Sequence, residues 1–329
     1  MPNQQLVDYI KQAQSQGQFK DQIKQTLLTV GWQGVDIDEA FSSLSGKIAP
    51  VRSGRSGRDF LKPEITSISR ATWNILKISW QFWIILAVAV IGGIILAIMT
   101  IQNGSFNNLR IIIIFYVIIA VYVYYVKNKV RSSFWKQFAE INDWQYEQSG
   151  DISQESGIMF KQGNARSMSN VIEGIIDGRQ FKIFNYQFSI GSGKSKETHY
   201  YTVFAFKFNG SFPHIYLNNK HNKYGVKVGE AVPLPGEFEK RFSLSVSRKY
   251  EIEALEIFTP DVLESLLNNG FSHDVEFVNQ NVLIFTNGQI DKFEQLDKEF
   301  NLALDLEDLL DEKLDRFRFE KIGDMAYNL

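Results

Sequence analysis

No cysteine occurs among the 329 residues of the chain. This absence excludes disulfide bonds, thiolate metal sites, cysteine nucleophiles and a lipid-modified amino-terminal cysteine. An excess of one charge is also lacking, because the formal net charge is only -2. Bulk electrostatics therefore indicates no nucleic-acid partner. The first residues, MPNQQLVDYIKQ, lack the apolar run of a signal peptide, so we expect no cleaved leader there.

Residue patterns typical of catalysis and metal binding are likewise scarce. Glu251 and Glu253 alternate with Ile252 and Ala254, which predicts a half-buried strand with an acidic outer face. An acid–base pair that also involves Glu256 is the alternative. The sequence contains no G-x-S-x-G elbow. We predict no cofactor and no bound metal, because the histidines fit no ligand spacing with a carboxylate: His199, His214, His221 and His273.

The string GSGKS at 191–195 suggests a phosphate-binding loop. Such a loop requires G-x-x-x-x-G-K-[S/T] and a helix that begins at its end, so that backbone amides face the phosphates. Here Phe188 occupies the position of the first glycine, and the following ETHYYTVFAF has the composition of a strand. The segment is therefore predicted to be a hairpin loop with exposed lysines rather than a nucleotide site.

Two long apolar runs dominate the first half of the chain. Residues 82–101 carry no charged side chain, and about 20 apolar residues suffice to cross a bilayer. A polar break at 102–108 precedes a second run at 109–126, in which Arg110 can reach outward to the lipid surface. We predict a two-helix transmembrane hairpin within residues 78–127. Two buried core helices are the alternative, but soluble core helices of this length usually have a polar face.

Basic residues flank the hairpin on both outer sides, whereas the connecting turn offers only Arg110. By the positive-inside rule, this distribution predicts a multi-pass protein of the inner (plasma) membrane with both termini in the cytoplasm. The linker at 47–77 lacks periodicity, so we expect it to be flexible. Its arginines either set topology alone or also contact anionic headgroups. The residues that carry these predictions are Arg52, Arg55, Arg58, Lys127, Lys129 and Arg131.

Small residues recur every four positions in the first run, at Ala89, Gly93 and Ala97. This spacing allows two helix backbones to approach closely. The spacing favours packing against the second span of the same chain, and homo-oligomerisation is the alternative. Neither span contains an interior carboxylate, lysine or histidine, which disfavours a transporter or an ion channel.

The amino-terminal residues 1–46 are predicted to form a small module of three helices, with Trp32 in its core. Gly17 and Gly31 mark the breaks between the helices. The string LLTVGW, followed by an acidic stretch and EAF, resembles ubiquitin-associated-like helical bundles. Two interpretations stay open, namely a peptide-docking module and a folded cap that has no partner.

Residues 132–329 are predicted to form an α+β domain with a mainly antiparallel sheet. Strand-like runs rich in β-branched and aromatic residues follow an initial helix, and Asp177-Gly178 is a strong hairpin signal. Thr259, Pro260 and Asp261 are typical of a helix start. DVEFV and VLIFT are predicted to form a hairpin, and an acidic amphipathic helix is predicted over 290–317.

This domain contains a G-x-x-x-G-R-x-F segment, then an E-F-x-x-x-F unit, an E-A-containing run and a T-P helix start. The residues in these motifs are Gly174, Gly178, Arg179, Phe181, Glu237, Phe238, Phe242, Glu253, Ala254, Thr259 and Pro260. Through them the domain resembles a bacterial family of unknown function over about residues 133–300. The resemblance implies membrane association and implies no particular reaction.

Two classes of function fit these features. The first is a membrane-anchored scaffold or sensor whose cytoplasmic domain binds a protein or peptide, and it predicts an exposed apolar patch or an open sheet edge. The second is a membrane-anchored hydrolase or other enzyme, which predicts a pocket with convergent polar groups. A pocket that joins His199, Arg179 and Glu173 would favour the enzyme. We favour the scaffold, because no sequence element requires catalysis.

The absence of cysteine makes the predicted topology directly testable. In Ser105→Cys the new thiol lies in the turn between the runs, so an impermeant maleimide should label it in intact cells. In Ser53→Cys the thiol lies in the linker and should react only after the cells are permeabilised. Labelling of both variants in intact cells would contradict the predicted orientation.

Overall fold

The computed structural model describes residues 59–103, 107–222 and 226–327, together with Tyr9, Thr26, Leu27, Val30 and Trp32. The chain divides into two units at Ser56, and the fold described below belongs to residues 57–329. The predicted three-helix module at 1–46 lies outside the described residues, apart from these isolated positions.

The described part of this unit contains helices that alternate with strands in an α+β arrangement. The helices are α1 (Ile68–Ile78), α2 (Trp80–Asn103), α3 (Asn107–Ile141), α4 (Gly236–Arg241), α5 (Glu251–Ile257), α6 (Pro260–Asn268) and α7 (Phe293–Tyr327). The strands are β1 (Gln145–Gly150), β2 (Asn164–Ile176), β3 (Arg179–Ile190), β4 (Glu197–Asn219), β5 (Glu230–Val232), β6 (Phe242–Val246) and β7 (Asp274–Asn287).

The strands form one antiparallel sheet, which confirms the predicted α+β class. Its order is β1-β2-β3-β4-β6-β5, and β7 also pairs with β4. The long strand β4 organises the sheet, because β3 pairs with its first half and β6 pairs with its last residues. The β7 strand pairs with β4 from Tyr201 to Leu217.

The apolar run at 80–102 forms most of α2. Among the described residues, α2 is the one helix that is long and apolar enough to cross a membrane, with a mean hydropathy of 3.0 and only 6% of its most apolar window buried. The second predicted span, 109–126, lies in the first half of α3. That helix continues without a break into the folded domain and ends at Ile141. One span is thus supported by composition and exposure, and the two-span hairpin stays a prediction.

The β2–β3 hairpin forms where the sequence predicts it. Asp177 and Gly178 adopt positive φ values of 50° and 82°, as required in a two-residue turn that matches strand twist. The GSGKS string also lies between two strands. It forms a short turn at Gly193–Ser195, and β4 begins directly afterward at Glu197.

Two sequence predictions differ from the structure. Glu251–Ile257 is a helix rather than a strand, because Ala254 and Ile257 recur at helical spacing and are buried. The predicted hairpin within 274–287 is a single strand, since Asn279 adopts a φ of 57° at an irregularity in the pairing and β7 then continues.

The sheet is buried on both faces. One face packs against α1, α3 and the helices that follow β5, and it forms the larger core. The opposite face carries aromatic residues such as Phe184, Tyr186 and Phe285, which the segment at 151–163 covers through Met159 and Phe160. Alternate residues of β3 point to opposite cores, since Ile183 belongs to the first and Phe184 to the second.

Phe300 of α7 lies at the centre of the larger core and is fully buried. Its ring is 5.2 Å from that of Phe181, 5.5 Å from that of Phe204 and 5.9 Å from that of Trp144. Phe60 stacks on it at 4.6 Å, which brings the segment before α1 into the same core.

Phe300→Ala should destabilise the domain by about 3–5 kcal/mol, because truncation leaves a cavity that the neighbouring rings fill only in part. Thermal unfolding of the detergent-solubilised chain measures this change. Ile252→Ala is the control, since Ile252 is 71% exposed and its truncation should cost less than about 0.5 kcal/mol. Equal melting midpoints for the two variants would contradict the central role of Phe300.

Candidate functional sites

The first candidate site is the place where the apolar helices meet the domain, here called the junction. Asp291, which precedes α7, accepts hydrogen bonds from Arg131 at 2.7 Å and from Lys127 at 3.0 Å. These two bases lie one turn apart on α3, so they reach the same carboxylate. The backbone carbonyl of Asp291 also accepts from the Ile68 amide at 2.9 Å. One residue therefore connects α1, α3 and the start of α7.

The electrostatics of the junction favour a charged Asp291. Burial by itself raises the pKa of this carboxyl, but the hydrogen bonds and positive charges of Arg131 and Lys127 outweigh it and hold the pKa below its usual range. Arg131 is itself largely buried. Removal of Asp291 would leave the Arg131 charge poorly solvated, and removal of Arg131 would do the same to the Asp291 charge. Each of these two charges is therefore stabilised by the other.

The segment at 59–67 runs along the domain beside the junction. Leu61 donates its amide to the Asn142 side chain at 3.0 Å, and Ile65 donates to Gln137 at 3.2 Å. The Phe293 amide donates to the Thr66 carbonyl at 2.9 Å. The predicted flexible linker at 47–77 therefore differs from the structure beyond residue 58. Phe60 and Ile65 pack against the larger core and hold the segment at 59–67 in place. A prediction from composition overlooks such widely spaced apolar residues.

The basic residues predicted to set topology fall into three groups. Lys127 and Arg131 form the junction, and Lys129 is exposed between them. The arginines of the linker lie outside the described residues: Arg52, Arg55 and Arg58.

The small-residue stripe of α2 is only partly in contact with other residues. Ala89 is buried, Gly93 is partly buried and Ala97 is exposed. A methyl group placed on Gly93 would meet nothing within 4 Å. No other part of the described chain therefore approaches the backbone closely at this glycine. The packing of α2 on α3 instead includes Phe82, whose ring stacks on that of Tyr122 at 6.5 Å.

The second candidate site is a pair of carboxylates inside the domain, Asp274 and Glu276, here called the buried acid pair. They lie two residues apart on β7, so they project from the same face of the sheet. Both residues have 0% exposure. One oxygen of Glu276 accepts from the Ile158 amide at 2.6 Å and lies 2.6 Å from His214 Nε2. One oxygen of Asp274 accepts from the Asn219 amide at 2.6 Å.

Burial raises the pKa of Asp274 to about 7, although the hydrogen bond from the Asn219 backbone amide and the nearby Asn222 side chain oppose this effect. The second oxygens of Asp274 and Glu276 are buried and have no hydrogen-bond partner among the described residues. A carboxyl that titrates near neutral pH beside spare acceptor atoms is a common arrangement in acid–base catalysis. The sequence offered no signal for it, because both residues stand in a strongly apolar strand.

The histidines do not assemble into a metal site. His214 contacts Glu276, His273 lies 2.8 Å from Glu299, and His199 stacks on Phe188 at 5.1 Å. In the described part of the chain, no group of three or more histidine and carboxylate side chains has the geometry to hold a metal ion.

The grouping of His199, Arg179 and Glu173 is not formed either. Arg179 pairs with Glu307 of α7, and Glu173 pairs with Lys182 at 2.9 Å. His199 lies near the far end of the β3–β4 ladder from Arg179, since it pairs with Phe188. His199, Arg179 and Glu173 therefore do not form the common pocket that would have favoured an enzyme.

The third candidate site is the outer edge of β1. Among the described residues, β1 pairs with β2 alone. Gln145, Glu147, Gln148 and Ser149 are exposed along it. The sequence analysis did not predict this strand, because QYEQSG has no apolar alternation and Tyr146 is its one typical strand residue.

Comparison with known proteins leaves the identity of the chain open. No family model matches it, and no curated protein matches it. A solved structure, that of the mycobacterial trehalose monomycolate transport factor A, TtfA, is similar at 15% identity and a TM-score of 0.41. The match covers 54% of this chain and 93% of that chain. A similarity this weak carries no argument about function, and the resemblance to a family of unknown function stays a prediction.

The pKa of Asp274 predicts how stability depends on pH. The folded-state pKa of about 7 exceeds the ordinary 3.8, so between these values the folded protein holds a proton that the unfolded chain releases. The stabilisation is present in full below about pH 4 and is lost progressively as the pH rises to about 7, on the order of 4 kcal/mol in total.

Asp274→Asn should remove this dependence. The melting midpoint of the wild-type chain should fall between about pH 4 and about pH 7, and that of the variant should fall less. Asp143→Asn, which changes an exposed carboxylate, is the control and should keep the wild-type profile. Identical profiles for all three proteins would show that Asp274 is not protonated in the folded state.

Proposed function

We propose that this protein is a scaffold or sensor, anchored in the inner (plasma) membrane, whose cytoplasmic domain binds a protein or peptide partner. The observation that carries the proposal is the open edge of β1 on a domain whose junction ties it to the apolar helices. An open edge offers backbone donors and acceptors to an extended segment of another chain.

The bilayer is the first partner in this proposal. Lys127, Lys129 and Arg131 follow the second apolar run directly, which supports cytoplasmic placement of both termini. Trp80 and Trp83 are exposed at the start of α2, where amphipathic rings would settle at the lipid–water interface. α2 and the first half of α3 would cross the membrane as a hairpin.

The junction supports a domain that is held in one orientation rather than tethered loosely. α3 is a single helix of 35 residues that begins in the second apolar run and ends in the core of the domain. Asp291 binds this helix by two side-chain contacts and binds α1 by its backbone. A partner on the domain would therefore be presented at a fixed position relative to the bilayer.

The buried acid pair favours one alternative, a membrane-anchored hydrolase or other enzyme. Asp274, with its pKa of about 7, would be the acid–base group, and Glu276 with His214 would be its neighbours. Both carboxylates are fully buried, so a substrate could reach them only if the segment at 151–163 moved. We favour the scaffold because its proposed surface is accessible in the structure as it stands.

Proximity labelling with the full chain in its native cell tests the proposal. A labelling enzyme fused to the carboxyl terminus should mark one partner in stoichiometric amounts. The same fusion on an unrelated two-span membrane protein should not mark it. Asp274→Asn should leave the labelling unchanged, because the buried acid pair plays no part in a scaffold.

Labelling of random cytosolic proteins alone would contradict the scaffold. Loss of the partner in Asp274→Asn, with the melting midpoint retained, would favour the enzyme instead. Absence of the chain from the membrane fraction would contradict both.

A further inference from the structure

We propose that the outer edge of β1 binds a basic peptide in extended conformation, which adds to the sheet as a further strand. This inference rests on the proposed function and names the chemistry of the partner.

The edge of β1 is available. In an antiparallel pair every second residue directs its N–H and C=O away from the neighbouring strand, so an edge strand offers these groups to another chain. Gln145, Glu147, Gln148 and Ser149 are exposed in the structure. β5 and β7 also have one strand partner each among the described residues. β5 is only 3 residues long, and Val275, Phe277 and Ile284 of β7 are fully buried. β1 is thus the longest accessible edge of the three.

The edge also lacks the usual protection against strand addition. Proteins commonly block edges with lysine, proline or a β-bulge. The strand QYEQSG contains neither lysine nor proline. Its register with β2 is constant from Gln145↔Glu173 to Gly150↔Met168, and the ladder lacks one pair, opposite Asn170 with its φ of 52°. That irregularity lies on β2 and leaves the outer edge of β1 unblocked, as strand addition requires.

The chain already binds extended backbone next to this edge. The side chain of Asn142, which precedes β1, accepts from the Leu61 amide at 3.0 Å and donates to the Leu61 carbonyl at 3.3 Å. Both polar groups of one residue in the 59–67 segment are thereby satisfied. The surface that continues from Asn142 along β1 can receive a second extended segment in the same way.

The charges around the edge select a basic partner. Residues 140–151 contain no lysine or arginine and four carboxylates, all exposed: Glu140, Asp143, Glu147 and Asp151. Lys136 offsets one of them, since it lies 3.6 Å from Glu140. Asp59 and Asp297 add negative charge next to Leu61, and burial together with the Asp59 charge raises the pKa of Asp297. Basic side chains along an added strand would complement this surface.

The test uses the full chain in neutral detergent micelles, where no anionic lipid competes for a basic probe. The probe is a fluorescent peptide of about ten residues that alternates arginine with valine, and its match alternates glutamate with valine. Fluorescence anisotropy should show a Kd for the arginine peptide that is lower by roughly tenfold or more, and this difference should shrink at high salt.

Two proline variants locate the contact. Neighbouring residues of an edge strand direct their amides alternately to the sheet and outward, so only one of Gln148→Pro and Ser149→Pro removes an outward amide. The variant that removes an outward amide should keep the wild-type melting midpoint but no longer bind the arginine peptide. The variant that removes an amide bonded to β2 should have a lower melting midpoint. Glu147→Lys, which reverses one exposed carboxylate of β1, should weaken binding several-fold without loss of stability.

Three results would overturn the inference. The first is equal affinity for both peptides. The second is retained binding in the stable proline variant. The third is binding that appears only after Arg52, Arg55 and Arg58 are replaced by serine, since the edge would then serve the chain itself rather than a separate partner. If one of these results is found while proximity labelling still marks one protein, the proposed function stands and the partner binds elsewhere.

Discussion

The interaction on which the rest of the structure depends is the carboxylate of Asp291 between Arg131 and Lys127. It joins the helix that leaves the second apolar run to the residue that starts the last helix of the domain. Because the same residue accepts the Ile68 amide, the short helix before the first apolar run is fixed there too. Arg131 is largely buried, so loss of Asp291 would leave its charge poorly solvated and would destabilise the junction.

The junction also fixes two elements next to the sheet. α3 leads directly into β1, and α7, which begins just after Asp291, covers the larger core. Phe60 and Phe300 stack where the entering segment meets α7. The second face also carries aromatic residues, but it lies next to the buried acid pair. The first face is therefore covered by helices, whereas the cover of the second face includes a hydrogen bond from the Ile158 amide to Glu276.

Sequence patterns predicted those parts of the fold that depend on local signals. The hairpin turn at Asp177-Gly178, the helix start at Pro260 and the loop character of GSGKS follow from residues adjacent in the chain, and the structure has all three. The patterns failed where distant contacts decide. EIEALEI alternates like a strand but packs as a helix, and β1 is a strand only because β2 lies beside it. The buried acid pair had no signal, because the burial of Asp274 depends on the covering segments.

The uninterrupted course of α3 has a mechanical consequence. At 1.5 Å per residue its 35 residues extend about 50 Å, so the helix is a lever arm with one end in the apolar region and the other in the sheet. No proline or glycine interrupts it, so bending would have to strain a regular helix. In the proposed membrane placement of α3, a tilt of about 10° at its lipid end would move the opposite end by about 9 Å. A change in bilayer thickness or lateral pressure would then displace β1 together with any peptide bound to it.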